Sequence, residues 1–293
     1  MTRAGRFAPS PSGELHVGNL RTAILAWLFA RSTGRRFLLR VEDLDRARAG
    51  AEAVQLRDLA AVGVTWDGAV VRQTDRGPLY AAAIAQLAAA GLTYECFCTR
   101  REIQEAPSAP HAPQGAYPGT CRELPAAELE FKRSTRPAAI RLRSSAAEWT
   151  VEDVLHGAFT GAVDDFVLRR NDGVTAYNLA VVVDDAEQGI DQVVRGDDLL
   201  PSTPRQAYLA SLLNIPVPEY AHVPLVVNAD GARLAKRDGA VTLGDLAAVG
   251  VPAEEVRRAI LASLGLPGAS LEAALGEFKP AGLPREPWVW AGL

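Results

Sequence analysis

Residues 8–30, APSPSGELHVGNLRTAILAWLFA, contain a loop rich in Pro, Ser and Gly that runs directly into an apolar, helix-like segment. Such a junction favours phosphate, because backbone N–H groups and the positive end of the helix dipole both face it. The stretch has no lysine and no P-loop pattern, so the imidazole of His16 is the group that could donate to phosphate, with a base lying against Gly18. Read alone, the same residues also fit a Pro-Gly turn with a surface histidine.

A second candidate phosphate site is the basic stretch NADGARLAKRDGAV at 228–241. Two Asp-Gly turn pairs bracket Arg233, Lys236 and Arg237. A short loop that holds three cations between two turns is a poor core element. It would serve better as a mobile phosphate clamp.

The third candidate site is formed by Cys96, Cys98 and Cys121, the only cysteines of the chain. Three thiols leave one unpaired, and a cytoplasmic location argues against disulfides. Three buried structural cysteines would explain neither this clustering nor how the proline-rich segment 95–137 folds. A structural zinc explains both, because metal binding supplies folding free energy. Ordinary ligand chemistry nominates His111 as the fourth ligand.

The elements that must position these residues alternate between strands and helices. The N-terminal part predicts a β-loop-α-β unit. Its strands are FAPS and FLLRVEDLD, and the helix between them has apolar residues at the helical period. Further helices are predicted at 51–63, 77–91 and 203–213, and strands at 138–143, 176–185, 190–199 and 222–228. This alternation predicts an α/β fold with an open, mostly parallel sheet, in which the loop before Gly18 lies at the ligand-binding carboxyl end of the first strand. Two or three short helices follow Thr242.

Composition limits the partners only loosely. The chain has 293 residues, of which 48% are hydrophobic and 23% charged, and its net charge is −4. No global positive field therefore indicates nucleic acid, although local basic clusters permit an RNA partner: Arg100–Arg101, Lys132–Arg133–Arg136, Arg141–Arg143 and Arg257–Arg258. Neither a signal peptide nor an apolar run near the ~20 residues of a membrane span is evident, which predicts a cytoplasmic protein without a membrane partner.

Taken together, HVGN and RLAKR resemble the two signature motifs of class I aminoacyl-tRNA synthetases. The resemblance is closest to the glutamyl branch and runs through residues 6–21, 37–46, 175–206 and 228–241. It implies a Rossmann-like class I catalytic domain at 1–241, with a zinc-binding insertion at about 95–137 and a short helical C-terminal region at 242–293.

The resemblance also assigns the phosphate chemistry. His16 matches the first histidine of the HIGH-like motif and Lys236 the second lysine of the KMSKS-like loop, so both are the expected catalytic residues. The residues expected to bind ATP, with Mg²⁺ as its counter-ion, are His16, Gly18, Asn19, Arg233 and Lys236. Here Asn19 replaces a histidine and Arg233 a lysine, while Ala235 and Arg237 replace two serines. Since Arg keeps the charge and Asn can still donate, an active site is expected.

The amino-acid substrate implied by the resemblance is L-glutamate, expected to bind to Arg6, Phe7, Ala8, Pro9, Ser10, Glu42, Tyr177 and Arg195. Glu42 would hold the α-amino group, while Arg6 and Arg195 would serve the carboxylates. Tyr177 and Arg195 are predicted to lie on later strands. The alternative for Arg195 is an ion pair with Asp197 or Asp198.

The zinc pattern of the same family is Cys-x-Cys…Tyr-x-x-x-Cys. By that resemblance the fourth ligand is Tyr117 rather than His111, and one structural zinc ion is held by Cys96, Cys98, Tyr117 and Cys121.

Only about 50 residues follow the basic loop, fewer than the helical anticodon-binding region of a conventional glutamyl enzyme. The chain therefore resembles the glutamyl-Q tRNA(Asp) synthetases. This implies a monomeric ligase that activates L-glutamate with ATP as glutamyl-adenylate, without tRNA, and transfers it to the queuosine base in the anticodon of tRNA(Asp). The alternatives are a truncated conventional enzyme that charges tRNA(Glu), a tRNA-binding relative without catalysis, and a small-molecule nucleotidyltransferase.

Overall fold

A computed structural model describes residues 3–105, 117–232, 234 and 241–293. Its strands are β1 (Ala4–Phe7), β2 (Arg36–Val41), β3 (Val71–Arg72), β4 (Thr93–Cys96), β5 (Ala139–Leu142), β6 (Glu148–Asp153), β7 (Gly157–Ala162), β8 (Val167–Arg169), β9 (Ile190–Gly196), β10 (Glu219–Val223), β11 (Val226–Val227) and β12 (Trp288–Val289). Its helices are α1 (Val17–Ser32), α2 (Ala51–Ala61), α3 (Gly77–Ala89), α4 (Arg100–Glu105), α5 (Ala126–Thr135), α6 (Tyr177–Glu187), α7 (Thr203–Leu212), α8 (Leu243–Ala248), α9 (Ala253–Ala262) and α10 (Leu271–Glu277).

The main sheet has the strand order β3-β2-β1-β9-β10-β6-β7. Its neighbours from β3 to β6 are parallel, and β6 and β7 form an antiparallel pair at one edge. The predicted α/β class with a mostly parallel sheet is therefore confirmed. Because β1, β2 and β9 are adjacent and parallel, their carboxyl ends meet at one edge, where ligands bind in sheets of this kind.

Helix α1 is the centre of the largest hydrophobic core. Its residues from Leu20 to Ala30 are almost all buried, because it packs on β1 and β9 on one side and against α9 and α10 on the other. Val256 and Ile260 of α9 belong to the same core. The helices after Thr242 thus pack against the first helix of the chain, and a domain boundary at residue 241 stays a prediction.

The described part of the insertion is built on a separate sheet. Strands β4, β5 and β8 form it with antiparallel pairing, and α4 and α5 lie in the same part of the chain. Its small core contains Cys96, Phe97, Tyr117 and Cys121.

The predicted strand at 176–185 is wrong, because these residues begin helix α6. A short run of consecutive apolar residues fits a buried strand or a buried helix equally well. Residues 179–185 are buried because α6 packs against α3, α7, β8 and β9. Tyr177 therefore lies in the first turn of a helix and not on a strand.

Several boundaries also differ from the predictions, although most elements are confirmed. The first strand lies earlier than FAPS, and the strand predicted at 190–199 ends at Gly196, where a 3-10 helix follows at Asp197–Ser202. The stretch 222–228 is divided between β10 and β11. Within the described ranges, none of the helices has both the length and the apolar surface that a bilayer crossing requires.

Candidate active site and cysteine cluster

A cavity of about 380 Å³ opens where β1, β2 and β9 end, and we call it the glutamate cavity after the ligand that the sequence resemblance predicts. Eleven of the predicted site residues line it: Arg6, Phe7, Ala8, Pro9, Ser10, His16, Gly18, Asn19, Glu42, Tyr177 and Arg195. The other two predicted ATP-binding residues, Arg233 and Lys236, lie outside the described residues. The fold thus brings the two predicted groups of residues, for phosphate and for glutamate, into one space.

His16 caps the N-terminus of α1. Its Nδ1 accepts a hydrogen bond from the backbone N–H of Asn19 at 3.3 Å, and the Asn19 side-chain oxygen accepts from the backbone N–H of His16 at 3.2 Å. This reciprocal pair is a capping box. Since Nδ1 accepts, the proton of a neutral imidazole lies on Nε2, which can then donate. Asn19 therefore orients the histidine that it follows.

Gly18 provides the space for this arrangement. A Cβ atom at this position would lie 2.9 Å from Cε1 and 3.0 Å from Nδ1 of His16. Any side chain here would displace the imidazole. The preceding loop is held by the buried Gln55 of α2, whose Nε2 donates to the carbonyl oxygens of Ser10 at 3.0 Å and Gly13 at 2.6 Å.

Arg6 and Glu42 are held by a buried ionic network. Its centre is Arg40 of β2, which is fully buried and donates through Nη1 to Asp185 at 2.8 Å and through Nη2 to Glu42 at 3.4 Å. Asp185 also accepts from Nε of Arg6 at 3.3 Å. Asp185 of α6 therefore links Arg6 of β1 to Arg40 of β2.

Burial and charge act against each other in this network. Burial raises the pKa of Glu42, although the Arg40 and Arg6 guanidinium groups oppose the rise. Burial also opposes ionisation of Asp185, but the charges of Arg6 and Arg40 prevail and lower its pKa. Asp184, beside it, is bound by Gln73, Arg76 and Tyr80. The network fixes the positions of Arg6 and Glu42 before any ligand binds.

Arg195 lies on β9 and is buried. Its Nε donates to Nε2 of His222 at 3.0 Å, and its Nη2 donates to the hydroxyl of Thr203 at 2.9 Å. Its Nη1 lies 3.5 Å from the hydroxyl oxygen of Tyr177. These three contacts are to His222, Thr203 and Tyr177, and none of them involves Asp197 or Asp198, the ion-pair partners considered above.

Sequence reasoning missed the residues beneath the cavity, namely Arg40, Asp185, His222 and Asp153. Two signals were present in the sequence. One is a charged residue inside the apolar strand RFLLRV, and the other is the acidic pair that ends the apolar run AVVVDD. Buried charges of this kind are rare unless they are paired, so both point to an ionic network. The contact between His222 and Arg195 depends on strand pairing, which the sequence alone did not supply.

The three cysteine sulfurs form a compact cluster. They lie within 4.8 Å of one another, and the Sγ atoms of Cys98 and Cys121 are 3.5 Å apart. Ligand atoms around a tetrahedral zinc with bonds of about 2.3 Å lie roughly 3.8 Å apart. The spacing of these thiols therefore fits a metal ion. The pKa of Cys96 is lowered to about 4, and the largest cause is a hydrogen bond from the Cys121 thiol.

The hydroxyl of Tyr117 completes this cluster. It lies 3.3 Å from Sγ of Cys96 and 3.6 Å from Sγ of Cys98, and it accepts the backbone N–H of Cys121 at 2.8 Å. The guanidinium carbon of Arg141 lies 3.6 Å from the centre of the Tyr117 ring. Burial and the hydrogen bonds with Cys96 and Cys98 raise the pKa of the Tyr117 hydroxyl, and the backbone N–H of Cys121 opposes this rise. The competing ligand, His111, lies outside the described residues.

A second and larger cavity, of about 1170 Å³, joins the glutamate cavity to the cysteine cluster. The two cavities share the lining residues Ser10, Ser12, Glu42, Tyr177 and Leu199. Five arginines line the larger one, which we call the basic groove: Arg46, Arg100, Arg136, Arg141 and Arg170. Of the basic clusters named above, Arg100, Arg136 and Arg141 lie there, whereas Lys132 is paired with Glu128 of its own helix and Arg133 chiefly with Glu95 of β4. Arg46, Arg136 and Arg170 of the groove are likewise paired with nearby carboxylates.

Comparison with known proteins identifies the family. Residues 4–279 match the family described as "tRNA synthetases class I (E and Q), catalytic domain". The glutamyl-Q tRNA(Asp) synthetase of Nocardia farcinica is 65% identical over 287 residues, which cover 98% of this chain and 92% of the relative. The chain belongs to the glutamyl-Q tRNA(Asp) synthetase family. Its expected nature as a ligase of the class I synthetase type is thereby confirmed.

Other members and solved structures agree with this assignment. The glutamyl-Q tRNA(Asp) synthetase of Symbiobacterium thermophilum is 44% identical and covers 97% of this chain and 94% of the relative. Among solved structures, a glutamate-tRNA synthetase from Elizabethkingia anophelis has a TM-score of 0.82 at 28% identity, over 99% of this chain and 68% of that chain. The catalytic fold is thus shared with a glutamate-tRNA synthetase, while the match covers much more of the relatives in the glutamyl-Q group.

Proposed function

We propose that the protein activates L-glutamate with ATP and transfers it to the queuosine base of tRNA(Asp), without charging the 3′ end of a tRNA. The observation that carries the proposal is the joining of two groups in one cavity. His16, the N-cap of α1, lines this cavity together with Arg6, Glu42 and Arg195. The names of the relatives that match nearly the whole chain support the acceptor.

Glutamate needs one anionic and two cationic partners, and the cavity offers them. Glu42 would bind the α-ammonium group, and the two arginines would bind the two carboxylates through paired N–H donors. Arg6 is tied to Asp185 and Arg195 to His222, so neither guanidinium has to be ordered when glutamate binds. Such preorganisation lowers the cost of binding.

In the activation step, a carboxylate oxygen of glutamate attacks the α-phosphorus of ATP in line. The new O–P bond forms as the bond to pyrophosphate breaks, giving glutamyl-adenylate and pyrophosphate. No protein nucleophile is required, because the carboxylate is already ionised. Nε2 of His16, with Lys236 of the basic loop, would donate to the phosphate oxygens as their charge increases. Mg²⁺ bound with ATP would neutralise further phosphate charge.

In the transfer step, a hydroxyl oxygen of the modified base attacks the activated carbonyl carbon. An ester forms, AMP leaves, and the proton of the hydroxyl is released. The basic groove opens into the glutamate cavity, so a tRNA loop lying along its arginines would bring a base to the adenylate. Zinc held by Cys96, Cys98, Tyr117 and Cys121 would supply structural support to one wall of this groove.

The activation half of the proposal is tested by glutamate-dependent ATP–pyrophosphate exchange in the absence of tRNA. Exchange with glutamate, but not with aspartate or glutamine, is expected. Lys236→Ala is expected to slow it by about 100-fold or more, a typical loss for one electrostatic stabiliser. Undiminished exchange in this variant would remove Lys236 from the mechanism, and a wild-type protein without exchange would favour a tRNA-binding relative that lacks catalysis.

The transfer half is tested with labelled glutamate and total tRNA prepared with and without queuosine. Label is expected only on the queuosine-containing tRNA. The similarity to a glutamate-tRNA synthetase makes conventional charging of tRNA(Glu) the competing function. Equal labelling of the two tRNA preparations would establish that competitor instead.

A further inference from the structure

Beneath the glutamate cavity, three residues from three adjacent strands form a buried chain of hydrogen bonds. Asp153 ends β6, His222 lies in β10, and Arg195 lies opposite His222 in β9. Nδ1 of His222 lies 2.6 Å from Oδ2 of Asp153, and Nε2 of His222 lies 3.0 Å from Nε of Arg195. All three side chains are buried, and His222 has no exposed surface.

The chemistry of these contacts fixes the state of the imidazole. Arg195 can only donate, so Nε2 of His222 must accept. The carboxylate of Asp153 accepts, so Nδ1 of His222 must donate. Asp153 is in turn oriented by the backbone N–H groups of Leu155 and His156, which reach its Oδ1 at 2.9 and 3.0 Å. His222 is therefore neutral, with a single tautomer selected by its partners.

We propose that His222, oriented by Asp153, is a positioning residue that holds the guanidinium of Arg195 in the orientation that receives a glutamate carboxylate. With Nε bound to His222 and Nη2 bound to Thr203, one edge of the guanidinium is occupied. The remaining donors on Nη1 are turned towards Tyr177, a lining residue of the glutamate cavity. The inference rests on the proposed role of Arg195 in binding glutamate and adds the reason for its geometry.

Two substitutions separate the two ends of the imidazole. In His222→Gln, the side-chain amide reaches the position of Nε2, so an acceptor for Arg195 is retained while the contact to Asp153 is lost. In His222→Asn, the shorter amide reaches the position of Nδ1, so the contact to Asp153 is retained while the acceptor for Arg195 is lost. A purely structural role would make the two variants alike.

The experiment measures the KM for glutamate and the KM for ATP in pyrophosphate exchange for the wild type and both variants. His222→Asn is expected to raise the KM for glutamate by about tenfold or more, since a hydrogen bond to a charged group is lost. His222→Gln is expected to stay within about threefold of the wild type, as a hydrogen bond to Arg195 remains. The KM for ATP is expected to be unchanged in both.

Controls separate this outcome from a loss of folding. His156→Asn is the matched control, because its Nε2 contacts the backbone oxygen of His222 at 3.0 Å rather than the guanidinium of Arg195, and it should keep the wild-type KM for glutamate. If His222→Asn does not fold, Thr203→Val is the second variant, since the Thr203 hydroxyl contacts both Nη2 of Arg195 at 2.9 Å and Nε2 of His222 at 3.1 Å, and its loss should raise the same KM.

Equal values of the KM for glutamate in His222→Asn and His222→Gln would overturn the inference. So would a wild-type value in His222→Asn or, where that variant does not fold, in Thr203→Val. Failure of the proposed function would differ from all of these, because the wild-type protein itself would then show no glutamate-dependent exchange.

Discussion

The glutamate cavity and the cysteine cluster are both polar sites, but they are held in place by different means. Around the cavity, Arg6 and Arg195 lie on strands of the main sheet, and their partners are carboxylates and an imidazole buried beneath them. The cysteine cluster has a core of only four buried residues, and three of them, Cys96, Tyr117 and Cys121, are also candidate metal ligands. The first site is held by packing and ion pairs, whereas the second would depend on the metal ion that we propose its thiols bind.

This difference predicts different responses to damage. Removing one charge from the buried network leaves its partners unpaired in a medium where they cannot be solvated. Removing the proposed metal ion from the insertion would take away free energy that orders that segment and would leave the main sheet intact. The two regions should therefore fail separately.

The largest effect is expected at Arg40. Arg40→Met leaves Asp185 and Glu42 without their central partner, so the free energy of unfolding should fall by about 3–5 kcal/mol. Arg36→Met on the same strand removes an exposed arginine and should change it by less than about 0.5 kcal/mol. Chemical denaturation of both variants provides the measurement. Equal losses in the two would show that the network does not hold the cavity.

Metal removal should affect the insertion and the glutamate cavity to different extents. Chelation of the native protein, or Cys98→Ser, should increase proteolytic cleavage within 95–137. Glutamate-dependent exchange should remain within about threefold of the native rate, because only groups outside the glutamate cavity change. Transfer to tRNA should fall much further, since Cys96 and Cys98 line the basic groove. A parallel loss of exchange and protease resistance would contradict the separation.

The fourth ligand of the cluster is tested by a pair of variants. Tyr117→Phe removes the hydroxyl that lies against the thiols and should weaken zinc binding by at least about tenfold. His111→Ala should retain one zinc per chain. Metal analysis after dialysis gives both results. Zinc kept in Tyr117→Phe and lost in His111→Ala would reverse the assignment.

The smallest effect is a change of stability with pH. Burial is the main cause that lowers the pKa of His222 below 6.5; Arg195 and His156 act in the same direction, and Asp153 opposes them. As the pH falls through 6.5, the unfolded chain takes up a proton on this histidine before the folded protein does, so the free energy of unfolding decreases. Above pH 6.5 this contribution is constant. Denaturation of the wild type and His222→Gln between pH 7.5 and about 5 should show that the variant lacks this part of the slope.

How far the sequence predicted this molecule depended on the kind of signal. Motifs and family resemblance predict His16, Glu42 and Arg195 as site residues, and the fold brings all three to the lining of one cavity. The helix at Tyr177–Glu187 was mistaken for a strand because a run of valines carries no period that distinguishes the two when all sides are buried.

The supporting residues could not be found in the same way. His222 and Asp153 meet only because β10 and β6 are neighbours in the sheet, although the two residues are 69 positions apart in the chain. Arg40 carried a local signal, a charge in an apolar strand, but its three acidic partners come from β2's end and from α6. Long-range pairing of this kind is a property of the fold and not of any short pattern.

The most direct test of the central claim is the position of labelled glutamate on purified, queuosine-containing tRNA(Asp). Ribonuclease fragments of the product separate the anticodon loop from the 3′ end, and a tRNA trimmed of its terminal adenosine provides the matched substrate. The label is expected in the anticodon fragment and should be transferred equally well to intact and trimmed tRNA. Label on the 3′-terminal fragment, or its loss from trimmed tRNA, would contradict the account.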